Sequence, residues 1–142
     1  MRYNVVRKMD ISNGPGVRVS VFMQGCEFHC KNCFNPETWD FEGGKEFNNE
    51  TIDDVLNLCG QSYIKGLSIL GGEPLHPKNI EATTKLAKAF KDKSILLPST
   101  FNTLTVTVSP TFTTSVTLVN EMWDNSLNLI KPSFMIPFNF FK

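Results

Sequence analysis

"VRVSVFMQGCEFHCKNCFNPETW", residues 17–39, runs a strand pattern straight into a metal-ligand pattern. Val17, Val19, Val21 and Met23 alternate with their neighbours, which predicts a β-strand with a buried face. Gly25 follows at once, so the cysteines at 26, 30 and 33 ride on the loop at the strand's end. Three is an odd count. Disulfide frameworks use even numbers, and a closed zinc site takes four ligands. Three thiolates can instead hold three irons of a 4Fe–4S cubane and leave the fourth iron open to a small molecule. Zinc remains the alternative, with His29 or Cys59 as fourth ligand. His29 adjoins Cys30, which makes joint tetrahedral ligation awkward. Cys59 falls on the apolar face of a predicted helix, where a buried free thiol is the commoner outcome.

Downstream the pattern alternates between helix and strand. "NNETIDDVLNLCG" (48–60) places Ile52, Val55, Leu56 and Cys59 at helical spacing, with Thr51 and Asp54 as a capping box and Gly60 as the stop. "GLSIL" (66–70) reads as a short buried strand ending on Gly71-Gly72-Glu73-Pro74, and a second helix begins near Pro77 and Asn79 and continues through Phe90. Strand, loop, helix, strand, loop, helix predicts an α/β fold with a parallel sheet and working loops at the C-terminal strand ends. Glycines after a strand allow close backbone approach to a ligand, and Glu73 offers a carboxylate suited to an ammonium. A plain turn with a solvated Glu is the simpler reading of "GGEP" taken alone.

Composition narrows the classes. Lys+Arg and Asp+Glu are 14 each in 142 residues, so the chain lacks the basic footprint of a nucleic-acid or acidic-membrane binder. No apolar run approaches membrane-spanning length, and "MRYNVVRKMD" has no signal-peptide hydrophobic stretch, so a cytoplasmic location is expected. In that compartment thiols stay reduced, which favours metal or redox roles for clustered cysteines.

"NGPGVRVSVFMQGC", "HCKNCFNPETWDF" and "LSILGGEPLHPKNIEA" together resemble the radical S-adenosylmethionine (SAM) superfamily. Within it, they are most similar to the activating proteins of anaerobic ribonucleoside-triphosphate reductases. The resemblance covers residues 1 to about 93 and implies the N-terminal part of a partial (β/α) barrel. It implies that Cys26, Cys30 and Cys33 ligate one 4Fe–4S cluster and that the amino and carboxylate groups of SAM chelate the open iron. Gly71, Gly72 and Glu73 would line the methionine end, and the main chain of Asn32, Cys33 and Phe34 would lie near the adenosine. Asn32 stands where the superfamily often has an aromatic residue. The implied activity is reductive cleavage of SAM to methionine and a 5′-deoxyadenosyl radical, which takes a hydrogen from a glycine of the reductase's large subunit. Flavodoxin or ferredoxin would supply the electron. Beside this stand two other readings: a non-enzymatic zinc- or iron-binding module, and an inactive frame-shifted product of such an activase.

Other residues carry simpler expectations. Trp39 and Phe34 pack the loop, Asn35-Pro36 makes a turn, His76 is a loop residue without an identifiable partner, and Lys85, Lys88 and Lys91 form a charged helix face. Arg18 is read either as a SAM or partner contact or as a solvated or ion-paired side chain. After residue 93 the character changes. Residues 94–142 hold four of the 28 charged residues, none of the nine glycines and eight of the twelve threonines. "NTLTVTVSP" alternates like a strand, "VNEMWDNSLNLI" suits a helical turn or two, and the family's expected W-T-G-Y-like segment does not appear. Two explanations compete: a divergent C-terminal region that completes the sheet differently, or a frame shift near codons 91–94. The abrupt end of the resemblance favours the second.

Overall fold

The computed structural model describes residues 1–95, 103–107 and 115–119 of the chain. β2 (Arg18–Met23) lies at the heart of the sheet and is buried at all six positions. Parallel to it runs β4 (Gly66–Gly71), and parallel to β4 runs β5 (Thr103–Thr107). Their register stacks apolar side chains in rows: Val19, Leu67 and Leu104 form one, and Val21, Ile69 and Val106 the next. That face receives α1 (Asn49–Cys59) and α2 (Ile80–Ile95), which contribute Ile52, Val55, Leu56 and Cys59 from one helix and Leu86, Ala87 and Phe90 from the other. The helical spacing read from residues 48–60 is thus the buried face of α1.

The sheet is mixed, which corrects the expectation of a parallel one. Its order is β3-β1-β2-β4-β5-β6. Only the centre is parallel; β1 (Arg2–Asp10) runs antiparallel to β2, and β6 (Ser115–Val119) antiparallel to β5. β3 (Lys45–Glu46) adds two residues beside the start of β1. β1 escaped the sequence reading because "RYNVVRKMD" is charged and only half covered; it is a flanking strand with solvent on much of its surface. The helix start also moves. Asn48, not the Thr51/Asp54 box, caps α1, its Oδ1 accepting the Thr51 N–H at 2.9 Å.

Arg18 is neither solvated nor near the cysteine loop. It is 0% exposed, and it sits at the end of β2 opposite Met23, a separation of roughly 17 Å for five strand residues. Its guanidinium donates to Ser68 Oγ (2.7 Å), the Leu67 carbonyl (2.7 Å), the Pro15 carbonyl (3.2 Å) and Thr105 Oγ1 (3.3 Å). Ser68 Oγ in turn donates to the Asn13 carbonyl. "NGPGVR" therefore closes the far end of the sheet: the Pro15 carbonyl accepts from the buried cation and the Asn13 carbonyl from Ser68, and Thr105 of β5 belongs to the same network.

Candidate metal centre

β2 and β4 end level with each other, Met23 beside Gly71, and both chains turn out of the sheet there. Two main-chain bonds continue the pairing past the strand ends: Gly72 N–H to the Met23 carbonyl and Glu73 N–H to the Gly25 carbonyl, both 2.9 Å. The glycines make this possible. Gly71 has φ +107°, and a Cβ there would stand 2.7 Å from the Met23 nitrogen; a Cβ on Gly72 would stand 2.5 Å from the Gly25 oxygen. The close approach expected between this loop and a ligand is, in the fold itself, an approach of the loop to the cysteine strand. Asn79, just ahead of α2, is buried between them. Its amide donates to the Gln24 and Glu73 carbonyls at 3.0 Å each, with the Gly25 carbonyl at 3.4 Å.

The three predicted ligands follow on one excursion. Cys26 is buried and held to the neighbouring turn by its N–H on the Trp39 carbonyl (3.0 Å); Cys30 and Cys33 are partly exposed. His29 (φ 43°) and Asn32 (φ 65°) both take the left-handed conformation, which coils the loop and brings the Cys33 N–H onto the Cys30 carbonyl. Burial raises the Cys26 thiol above its ordinary pKa; the Phe28 N–H opposes this, while the Glu73 carboxylate and the thiols of Cys30 and Cys33 add to it. Glu73, Cys30 and Cys33 of the expected site are therefore all near enough to act on Cys26. Among the described residues no three His, Cys, Asp or Glu side chains close on a single ion. Glu73 is 4% exposed and accepts the Leu75 N–H on Oε1. Asn32, placed by the sequence reading near the adenosine, is exposed.

Around the loop several expectations change. His76 is buried with identifiable partners: its ring lies 4.7 Å from that of Phe41, Nδ1 accepts the Lys78 N–H, and Nε2 is 3.5 Å from Glu27 Oε1. Phe34 does not pack the loop; it is 92% exposed, turned outward beyond Cys33. Phe41, which sequence reasoning missed, covers the loop instead, lying where a Cβ on Gly25 would fall. Trp39 does pack, edge-on to His29 at 4.6 Å. The Asn35-Pro36 turn is present, with the Thr38 N–H and hydroxyl both on the Asn35 carbonyl. Cys59 belongs to the core, where burial pushes its thiol up to about 12; its charged neighbours are Lys93 and Arg18 rather than the loop.

The donor set suits an iron–sulfur group. Thiolates in such sites are stabilised by main-chain N–H groups. Here the Phe28 N–H reaches Cys26, and the Asn35 N–H reaches Cys33 Sγ at 3.4 Å. Three cysteines sit on one coiled loop at a strand end, two of them bonded in this way. The chain belongs to the family described as a 4Fe-4S single cluster domain, which it matches over residues 12–130. It is similar to proteins named anaerobic ribonucleoside-triphosphate reductase-activating protein. The one from Enterobacteria phage T4 is 37% identical over 101 residues, 68% of this chain and 65% of that one. The Vibrio cholerae protein is 37% identical over 103 residues (68% and 66%), and that of Escherichia coli K12 is 37% identical over 93 residues (64% and 60%). The matched regions thus span somewhat less than two-thirds of these relatives.

Proposed function

We propose that this chain is a radical-SAM activase whose target is an anaerobic ribonucleoside-triphosphate reductase. The observation that carries the reading is the junction of the cysteine loop with Gly71-Gly72-Glu73 at one strand-end rim, made by the Gly72 N–H on the Met23 carbonyl and the Glu73 N–H on the Gly25 carbonyl. Cys26, Cys30 and Cys33 hold the cluster. When bound, the cluster supplies the electron that splits the SAM sulfonium into methionine and a 5′-deoxyadenosyl radical. Glu73 binds the SAM ammonium through a charge-assisted bond, and the Gly71–Glu73 main chain orients the methionine end. The main chain at Asn32, Cys33 and Phe34 faces the adenosine. The target is a glycine of the reductase's large subunit, and the electron comes from a small carrier such as flavodoxin or ferredoxin. The fold follows the start of a partial (β/α) barrel: the parallel β2-β4-β5 centre and the helices packed on one face support this. We place the protein in the cytoplasm, where the four free cysteines stay reduced; no described helix is long and apolar enough to cross a membrane.

Anaerobic reconstitution with iron and sulfide, then EPR of the reduced protein, tests the reading. A 4Fe–4S signal that changes on adding SAM is expected, and alanine at Cys26, Cys30 or Cys33 abolishes SAM cleavage. Glu73→Gln keeps the cluster's absorption and weakens SAM binding by roughly 1.5–3 kcal/mol. An EPR-silent protein with tightly bound zinc overturns the activase and leaves a zinc module.

A further inference from the structure

Most bonds between the two site loops come from the main chain; one buried side chain makes another from a third direction. Asn79 is 2% exposed, and its amide carries only two hydrogens. One goes to the Gln24 carbonyl, two residues ahead of Cys26, and the other to the Glu73 carbonyl. The Asn79 carbonyl accepts the Thr83 N–H in the first turn of α2. A single residue therefore ties the cysteine strand, the glycine-rich loop and a helix end into one triangle. Thr83 offers an instructive contrast. It is also buried and donates to the Pro74 carbonyl at 2.8 Å, so it anchors the glycine-rich loop to α2 without touching the cysteine side.

We propose that Asn79 is a positioning residue that sets the distance between the Glu73 main chain and the start of the Cys26 loop. Resting on the activase reading, this makes one amide responsible for the spacing between the cluster's open iron and the methionine end of SAM. Replacing Asn79 takes the amide donor from the Gln24 carbonyl, while the Gly25 and Glu73 carbonyls keep the Glu73 and His76 N–H groups, so the side-chain link between the two loops is lost and the main-chain bonds remain. The ligands themselves are untouched, so cluster assembly survives.

The test compares the full chain with Asn79→Ala and Thr83→Ala, each reconstituted anaerobically. Expected for Asn79→Ala are unchanged iron and sulfide content and an unchanged EPR signal without SAM. The SAM concentration needed to alter that signal rises by about tenfold, the scale of one lost buried bond. Thr83→Ala loses comparable thermal stability yet stays within about threefold of the unaltered chain. Equal SAM requirements for Asn79→Ala and the unaltered chain, or the same shift in Thr83→Ala, overturn the proposal. A second measurement, on the metal-free protein, needs no SAM, so failure of the activase reading is distinguishable. Asn79→Ala speeds iodoacetamide labelling of Cys26 by about tenfold and Thr83→Ala does not; equal rates refute the brace. If Asn79→Ala fails to fold, amide exchange in the unaltered chain decides. The Gly72 and Glu73 amides, which bond the Met23 and Gly25 carbonyls, should open together, and Glu73 exchanging about tenfold faster than Gly72 counts against the tie.

Discussion

Cys59 and Cys26 show one side chain in two settings. Cys59 lies among aliphatic groups of α1 and the sheet, and burial holds its thiol neutral up to about 12 against an ordinary 9.0. The folded chain therefore keeps a proton that the unfolded chain releases above pH 9. Stability is full below that pH and falls as pH rises toward 12. We expect the urea midpoint to be flat from pH 7 to 8.5 with respect to this group and to drop beyond it. Cys59→Ala should cost about 1 kcal/mol at pH 7 and remove part of the alkaline slope; an unchanged slope would show that other groups cause it. Cys26 is also raised by burial, but it has an N–H donor and two neighbouring thiols, which Cys59 lacks among the described residues. The cysteine triplet stood out because its pattern lies in spacing along the chain. Asn79 and Phe41 were not. Asn79 acts on a carbonyl 55 residues away, and no local pattern records such a contact.

At the scale of elements, periodicity read most clearly where a face is buried. The apolar positions of α1, the strands read at 17–24 and 66–70, and the alternation within "NTLTVTVSP" reappear in the fold as α1, β2, β4 and β5. What failed were features decided by neighbours. β1 gains its place from pairing with β2, and the cap of α1 moved to Asn48 because that side chain, one turn earlier, reaches the Thr51 N–H. β5 permits a direct test of the region after residue 93. Leu104 is 0% exposed and stands beside Leu67 in the central apolar row. Leu104→Ala should lower unfolding stability by about 2–4 kcal/mol in urea titration. A change under about 0.5 kcal/mol would mean that β5 does not hold that place in solution. A large loss favours a divergent C-terminal segment over a frame-shifted one, and translating the two other frames beyond codon 90 checks the same point at the gene.

For the whole molecule, we propose residues 1–93 as the cluster-bearing core; beyond them, β5 and β6 extend its sheet past β4. Removing everything from residue 103 onward would uncover the β4 edge and the row of Leu67 and Ile69, a template for pairing between chains. Such a truncation should still take up iron and sulfide on its cysteine loop but should self-associate; sedimentation at rising protein concentration measures this. A monodisperse truncated chain would show that the core needs neither β5 nor β6. The strand order has one more consequence, in time rather than space. β4 joins β2, β5 joins β4 and β6 joins β5, so each newly made strand lands on an edge already laid down. Every atom of the tie between the cysteine and glycine-rich loops comes from residues 23–83. A chain emerging from the ribosome therefore has every residue of that tie in hand before β5 is made, so the order of synthesis is compatible with joining the two loops first.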